Sequence, residues 1–161
     1  MFLAHLHLYL NHGPAFGLAF GVLILLYGLI RRNCEVVRTS FLLFVLSAVL
    51  CVPVYLTGDF AERAVKGGIP DVPNDSLIKP HEESALISLI FVSITGAVAL
   101  VAFYLLLKKK ECPASVTISV LILALISLGF LIHTGDLGGK INHPELRPGY
   151  VMPPPSEDEE D

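Results

Sequence analysis

The stretch ALISLIFVSITGAVALVAFYLLL, residues 85–107, runs without a single Asp, Glu, Lys or Arg. About 20 apolar residues in an α-helix suffice to cross the roughly 30 Å hydrocarbon core of a bilayer. A lone strand would leave its backbone groups unpaired in lipid, and a membrane β-barrel strand would alternate apolar with polar residues, which this stretch does not. Three further runs of the same character occupy residues 14–30, 41–56 and 116–132. Of the 161 residues 53% are hydrophobic and 16% charged, with a mean hydropathy of +0.68; the apolar excess sits in these runs. The expected fold is all-α, an integral membrane four-helix bundle of two repeated helical hairpins, with residues 1–143 forming one transmembrane domain.

Residues 144–161 differ in kind. They are proline-rich and end in SEDEED, which holds five of the acids behind the net charge of −4. Such a tail is expected to be extended or disordered unless bound to a partner. The opening MFLAHLHLYLNHG has no basic flank of the sort that precedes a cleaved signal, and Arg31 and Arg32 stop the first run at its far end. The expectation is a retained first helix.

Lys and Arg gather in the cytoplasmic loops of membrane proteins. Arg31, Arg32 and Arg38 fall in the loop of the first hairpin, and Lys108, Lys109 and Lys110 in the loop of the second. Both loops are therefore expected in the cytoplasm, with both termini and a long loop from 58 to 83 facing outward. All six histidines, His5, His7, His12, His81, His133 and His143, then gather at the outer end. An ionisable group within a span is a functional candidate by default, the plainer alternative being a ring that rests among the headgroups. Cys34 and Cys112 fall on the reducing side and Cys51 within a span, so all three are expected to remain thiols. No C-x-x-C-H is present to attach a haem covalently.

The two hairpins share their punctuation. Each opens on a histidine, His12 or His81, and each closes on Thr-Gly-Asp, at 57–59 and at 134–136. A same-sense repeat implies a pseudo-two-fold axis along the membrane normal, which would set His12 and His81 at similar depth on opposed helices. Two facing imidazoles can hold a haem iron from both sides, and bundle cores house such groups. Gly13, Gly17, Gly21 and Gly28 recur along the first span, where they serve either to leave room for a cofactor or to let helices pack closely. Asp59 and Asp136 are candidates to accept the second N–H of a ligating imidazole. Gly58 and Gly135 would let the chain turn directly after each helix.

His7, His12 and Pro14 form an H-x4-H-x-P pattern; Thr57-Gly58 closes the second span, His81 opens the third, and Gly138-Gly139 precedes His143. Over roughly residues 5–143 this resembles a widespread bacterial family of small, uncharacterised four-helix membrane proteins, a domain also found fused to Rieske iron–sulphur or cytochrome c modules. The resemblance implies a bacterial inner-membrane location and maps the family's histidines onto His7, His12, His81 and His143. It also implies redox partners outside the membrane. His143 follows Gly139 more closely than the family pattern has it, and His133 has no counterpart there.

Three functions follow as expectations. The leading one is a b-type cytochrome-like electron-transfer subunit, with one haem b near the outer face held by His12 and His81, and with His7, His133 and His143 as further candidates. Its partners would be the lipid bilayer, a periplasmic cytochrome c or iron–sulphur protein, and other membrane subunits. A second is a Zn or Cu site drawn from His5, His7 and His12 with His133, His143, Asp59 and Asp136. A third is a cofactor-free scaffold within a larger complex. No phosphate-binding glycine loop, no nucleophile paired with a base and no nucleic-acid patch occurs, so the chain reads as a redox or structural subunit rather than a bond-making enzyme.

Overall fold

The computed structural model describes residues 2–68 and 75–151. Five α-helices occupy them: α1 (Phe2–Leu10), α2 (Gly13–Ile30), α3 (Cys34–Gly68), α4 (Asp75–Leu106) and α5 (Ala114–Asn142), followed by a 3₁₀ turn (Pro144–Leu146). No strand occurs among the described residues. Helices α2 to α5 close into an antiparallel bundle in which each packs on its neighbour in sequence and α5 returns to α2, while α1 lies along α3. With α1 and α2 read as one segment, four helical segments are long and apolar enough to cross a membrane: Phe2–Ile30, Cys34–Ala64, Ser76–Leu106 and Ala114–Asn142.

The break between α1 and α2 follows from Pro14. Its nitrogen has no hydrogen to give to the carbonyl of Leu10, so the helix interrupts over Asn11 and His12 and restarts with Pro14 in its first turn. At the other end of α2, Arg32 takes a left-handed conformation (φ 50°) and the Asn33 N–H reaches back to the Gly28 carbonyl at 2.9 Å, closing the helix. Asn33 then caps α3, its Oδ1 accepting the N–H groups of Glu35 (3.0 Å) and Val36 (3.3 Å). Helix α5 ends under a different device: Arg147 folds back and donates Nε–H to the Lys140 carbonyl (2.8 Å) and Nη2–H to that of Ile141 (3.0 Å). A cation at this end also opposes the negative pole of the helix. The start of the tail is thus a folded turn; residues 152–161 lie outside the described set.

The interior is tight and the exterior greasy. Leu18, Leu25, Phe41, Phe44, Val92 and Val120 are fully buried, while Phe16, Phe20, Ile30, Leu46, Val101 and Tyr104 stand on the outer surface. That arrangement suits a solvent of lipid chains, in which small residues and hydroxyls hold helices together. The glycines of α2 show it. A methyl added at Gly17 would run into Ser47, one at Gly21 into the Phe44 ring, and one at Gly28 would come within 3.0 Å of Val37. These positions serve close packing against α3, and the space a cofactor would need along this face is filled.

Two sequence expectations change. The Thr-Gly-Asp triplets do not turn the chain: α3 runs on through 57–59 to Gly68, and α5 through 134–136 to Asn142. Each threonine bonds its hydroxyl back into its own helix instead, Thr57 to the Pro53 carbonyl (2.7 Å) and Thr134 to that of Phe130 (2.9 Å). The long outer loop therefore shrinks, since α3 and α4 reach into it from both sides and Pro80 sits inside α4.

Candidate functional site

At the end of the bundle that carries α1 and the last turns of α5, two histidine rings turn inward from different elements. His7, on the short α1, places Nδ1 2.9 Å from the carbonyl of Val54 and 3.4 Å from the hydroxyl of Thr57, both on α3. His81, near the start of α4, places Nδ1 3.0 Å from the carbonyl of Thr134 on α5. A carbonyl only accepts, so in both rings the hydrogen sits on Nδ1 and a neutral ring keeps its lone pair on Nε2. Neither Nε2 has a hydrogen-bond partner among the described residues. This is the arrangement that fixes tautomer and direction in metal-ligating histidines.

The sites around the rings differ. Thr134 is a hub: its hydroxyl donates to the Phe130 carbonyl and accepts from Ser84 (2.7 Å) and Ser88 (2.8 Å), all buried between α4 and α5. One level deeper, Thr95 and Ser127 pair at 2.8 Å. Gly138 lets the His81 ring settle on α5, because a methyl there would stand 3.0 Å from Cε1. Around His7 the equivalent threonine, Thr57, bonds only within α3 and towards the ring, and a methyl added at Gly58 would stand 3.9 Å from the His7 Cε1, an ordinary contact.

The remaining candidates disperse. His12 stands exposed at the start of α2 with its ring beside that of Phe16, centroids 6.2 Å apart. The inward pair is thus His7 with His81, in place of His12 with His81. The cause is spacing. Five residues apart, His7 and His12 would point about 140° from each other even on an unbroken helix, and the break at Asn11–His12 separates them further. His5 is exposed, and His133 is exposed beside Phe130 and Gly129. His143, past the end of α5, meets the Glu145 carboxylate at 2.9 Å on the surface. The Glu145 carboxyl is held below its usual range first by its own backbone N–H and then by that ring. Asp136 pairs with Lys140 at 2.5 Å rather than with an imidazole. Asp59 gathers instead with Glu62 and Glu82, their oxygens within 4.8 Å of one another, and Lys66 meets Glu62 at 2.6 Å.

The opposite end departs from the expectation of three thiols. Cys34 and Cys112 are joined by a disulfide across 78 residues of sequence, and only the buried Cys51 is free. The two hairpin loops meet there, and their Cα atoms lie 5.3 Å apart, within the span a disulfide bridges. Spacing in sequence carried no sign of the pairing. By contrast the polar face around His81 was readable: His81, Ser84, Ser88 and Thr95 recur at helical intervals, as do Ser127, Thr134 and Gly138.

No protein-family model, curated protein or solved structure matches the chain.

Proposed function

We propose that the chain is a membrane electron-transfer subunit, b-type cytochrome-like, in which His7 and His81 would hold a single haem. The observation that carries this reading is the matched pair of Nδ1–H bonds to the carbonyls of Val54 and Thr134, which leave both Nε2 lone pairs for a ligand. The number of donors favours haem. A porphyrin fills four positions around its iron and asks two more of the protein, whereas a structural zinc asks four. When bound, the haem would supply one-electron exchange. The chain's own part is to fix the rings: the Thr134 hub with Ser84 and Ser88 holds α4 on α5 under His81, and α3 presents the Val54 carbonyl to His7.

In this reading the basic loops face the cytoplasm, as the positive-inside pattern favours, and the histidine end, with both termini, faces the periplasmic side of a bacterial inner membrane. A single site near that face cannot carry electrons across the bilayer alone. The fitting role is exchange between other membrane subunits and a periplasmic cytochrome c or iron–sulphur protein. Zn or Cu is the alternative occupant, and it would need donors beyond the two imidazoles.

The test is an optical spectrum of the detergent-purified protein, oxidised and then reduced with dithionite. A Soret band with sharp reduced α and β bands is expected, abolished by His7→Ala or His81→Ala and kept by His12→Ala. A blank spectrum from folded, haem-supplied protein would overturn the haem, and elemental analysis would then report Zn or Cu. Loss of the bands in His12→Ala but not His7→Ala would overturn the ligand assignment.

A further inference from the structure

The end opposite the histidines holds groups that this electron-transfer role does not use. The Cys34–Cys112 disulfide lies where the two hairpin loops meet, Cys34 being the first residue of α3. Beside it is a cavity of about 530 Å³ lined by Cys34 and by Arg31, Arg32, Arg38, Lys108, Lys109 and Lys110. Six cations face it against one carboxylate, that of Glu35, which is 80% exposed and already bonded to Arg38. The Arg38 Nε is buried without a partner. The wall therefore carries positive charge that the chain does not neutralise. Its volume falls in the range of small-molecule sites.

The positive-inside pattern puts this wall in the cytoplasm, where a reducing thiol pool lets a disulfide persist only as a transient, catalytic or sensing bond. We propose that Cys34–Cys112 is a thiol–disulfide exchange site, and that its co-substrate is a small anionic thiol drawn in by the Arg and Lys wall. Cys112 is the more exposed residue of the pair, while Cys34, which lines the cavity, is buried, so the incoming thiolate attacks Cys112 beside the cationic wall. The S–S bond breaks and Cys34 leaves with the electron pair, its negative charge set at the N-terminus of α3 and against the cations. A second thiolate then attacks the sulfur of the first, forming the external disulfide and releasing Cys112 as thiolate. Protons lost by the two external thiols balance those taken up by the two cysteines. In sum, two thiols are oxidised to one disulfide and Cys34–Cys112 is reduced to two thiols.

The loops do not depend on the bond alone. Arg38 donates Nη2–H to the Lys109 carbonyl while its Nη1–H holds Glu35 at 2.7 Å, so one guanidinium straps the first turns of α3 to the second loop. The cysteines can part and rejoin with their neighbours still in place.

The experiment uses the full chain in lipid nanodiscs, incubated with glutathione, an anionic thiol, or with cysteamine, a cationic one. Free cysteines are trapped by alkylation and counted by mass spectrometry. Reduction by glutathione should exceed that by cysteamine by about tenfold, the scale of electrostatic steering into a charged site. The triple variant Lys108→Gln, Lys109→Gln, Lys110→Gln should lose that preference while still being reduced. Equal rates in the parent protein would overturn the anionic co-substrate. A bond that opens only after denaturation would overturn the exchange site and mark a structural disulfide, whatever the spectrum shows at the histidine end.

Discussion

The two inward histidines look alike at the ring and unlike one shell further out. His81 stands on the 32-residue α4, bonded to a carbonyl whose own residue, Thr134, gathers two serine hydroxyls from the helix that carries the histidine. His7 stands on the nine-residue α1, cut off from α2 by the break before Pro14, and is bonded to a carbonyl of α3 whose neighbour Thr57 serves its own helix. The same Thr-Gly-Asp triplet thus serves a packed polar network in one hairpin and a thin contact in the other. In lipid, where no hydrophobic force drives helices together, hydroxyl pairs and small residues decide which element is held firmly. One ligand candidate is fixed by the bundle; the other is fixed by how a short helix docks on it.

Substitutions can break this asymmetry or sharpen it. The largest difference is expected at the threonines. Thr134→Val removes the acceptor of both Ser84 and Ser88 and should cost about 1–2 kcal/mol, whereas Thr57→Val, with no hydroxyl from another helix to orphan, should cost less than about 1 kcal/mol. Unfolding in mixed micelles followed by circular dichroism measures both, and equal losses would erase the distinction.

The glycines should give a smaller difference, and of opposite sign. Gly58→Ala meets only ordinary contact with His7 and should gain up to about 1 kcal/mol from better helix propensity. Gly138→Ala must push the His81 ring by a few tenths of an ångström, which offsets that gain and, if the proposed haem is held there, should lower its loading where Gly58→Ala leaves it intact. The reduced-spectrum amplitude per protein reads the two variants side by side.

The smallest effect belongs outside the site, at the His143–Glu145 contact. The Glu145 carboxyl is depressed from its usual 4.5, so whatever the contact contributes is complete above that pH and lost as pH falls through the lower folded value. Amide exchange at residues 143, 145 and 146 should quicken only under those acid conditions.

How much of this was legible beforehand depends on whether the signal lay within one helix or between two. The four spans follow from runs such as 85–107 because a bilayer judges each helix largely by itself. The polar face of α4 was also present in the spacing of His81, Ser84, Ser88 and Thr95, since helical periodicity is local. The choice of His7 over His12 was not, because it depends on the turn at Asn11–His12 and on which side of α3 the severed α1 comes to rest. Thr-Gly-Asp misled for a related reason. Glycine after an apolar run is a common way to end a helix, yet here α3 and α5 continue and the triplet's value lies in what packs on it. Cys34 and Cys112 resisted reading altogether, since nothing local ties residues 78 apart until two loops meet.

The amino-acid sequence by itself determined that this chain is helical, that four of its segments are long and apolar enough to cross a membrane, and that two basic clusters lie in or beside the hairpin loops away from its histidines. Those properties are set by the solvent each segment must face, and any fold of these helices would keep them. Which histidine turns inward, which glycines are filled by a neighbour and which sulfurs meet were decided only by the tertiary structure. Each of them is a contact between elements, and its existence depends on the rotation and docking of both partners at once.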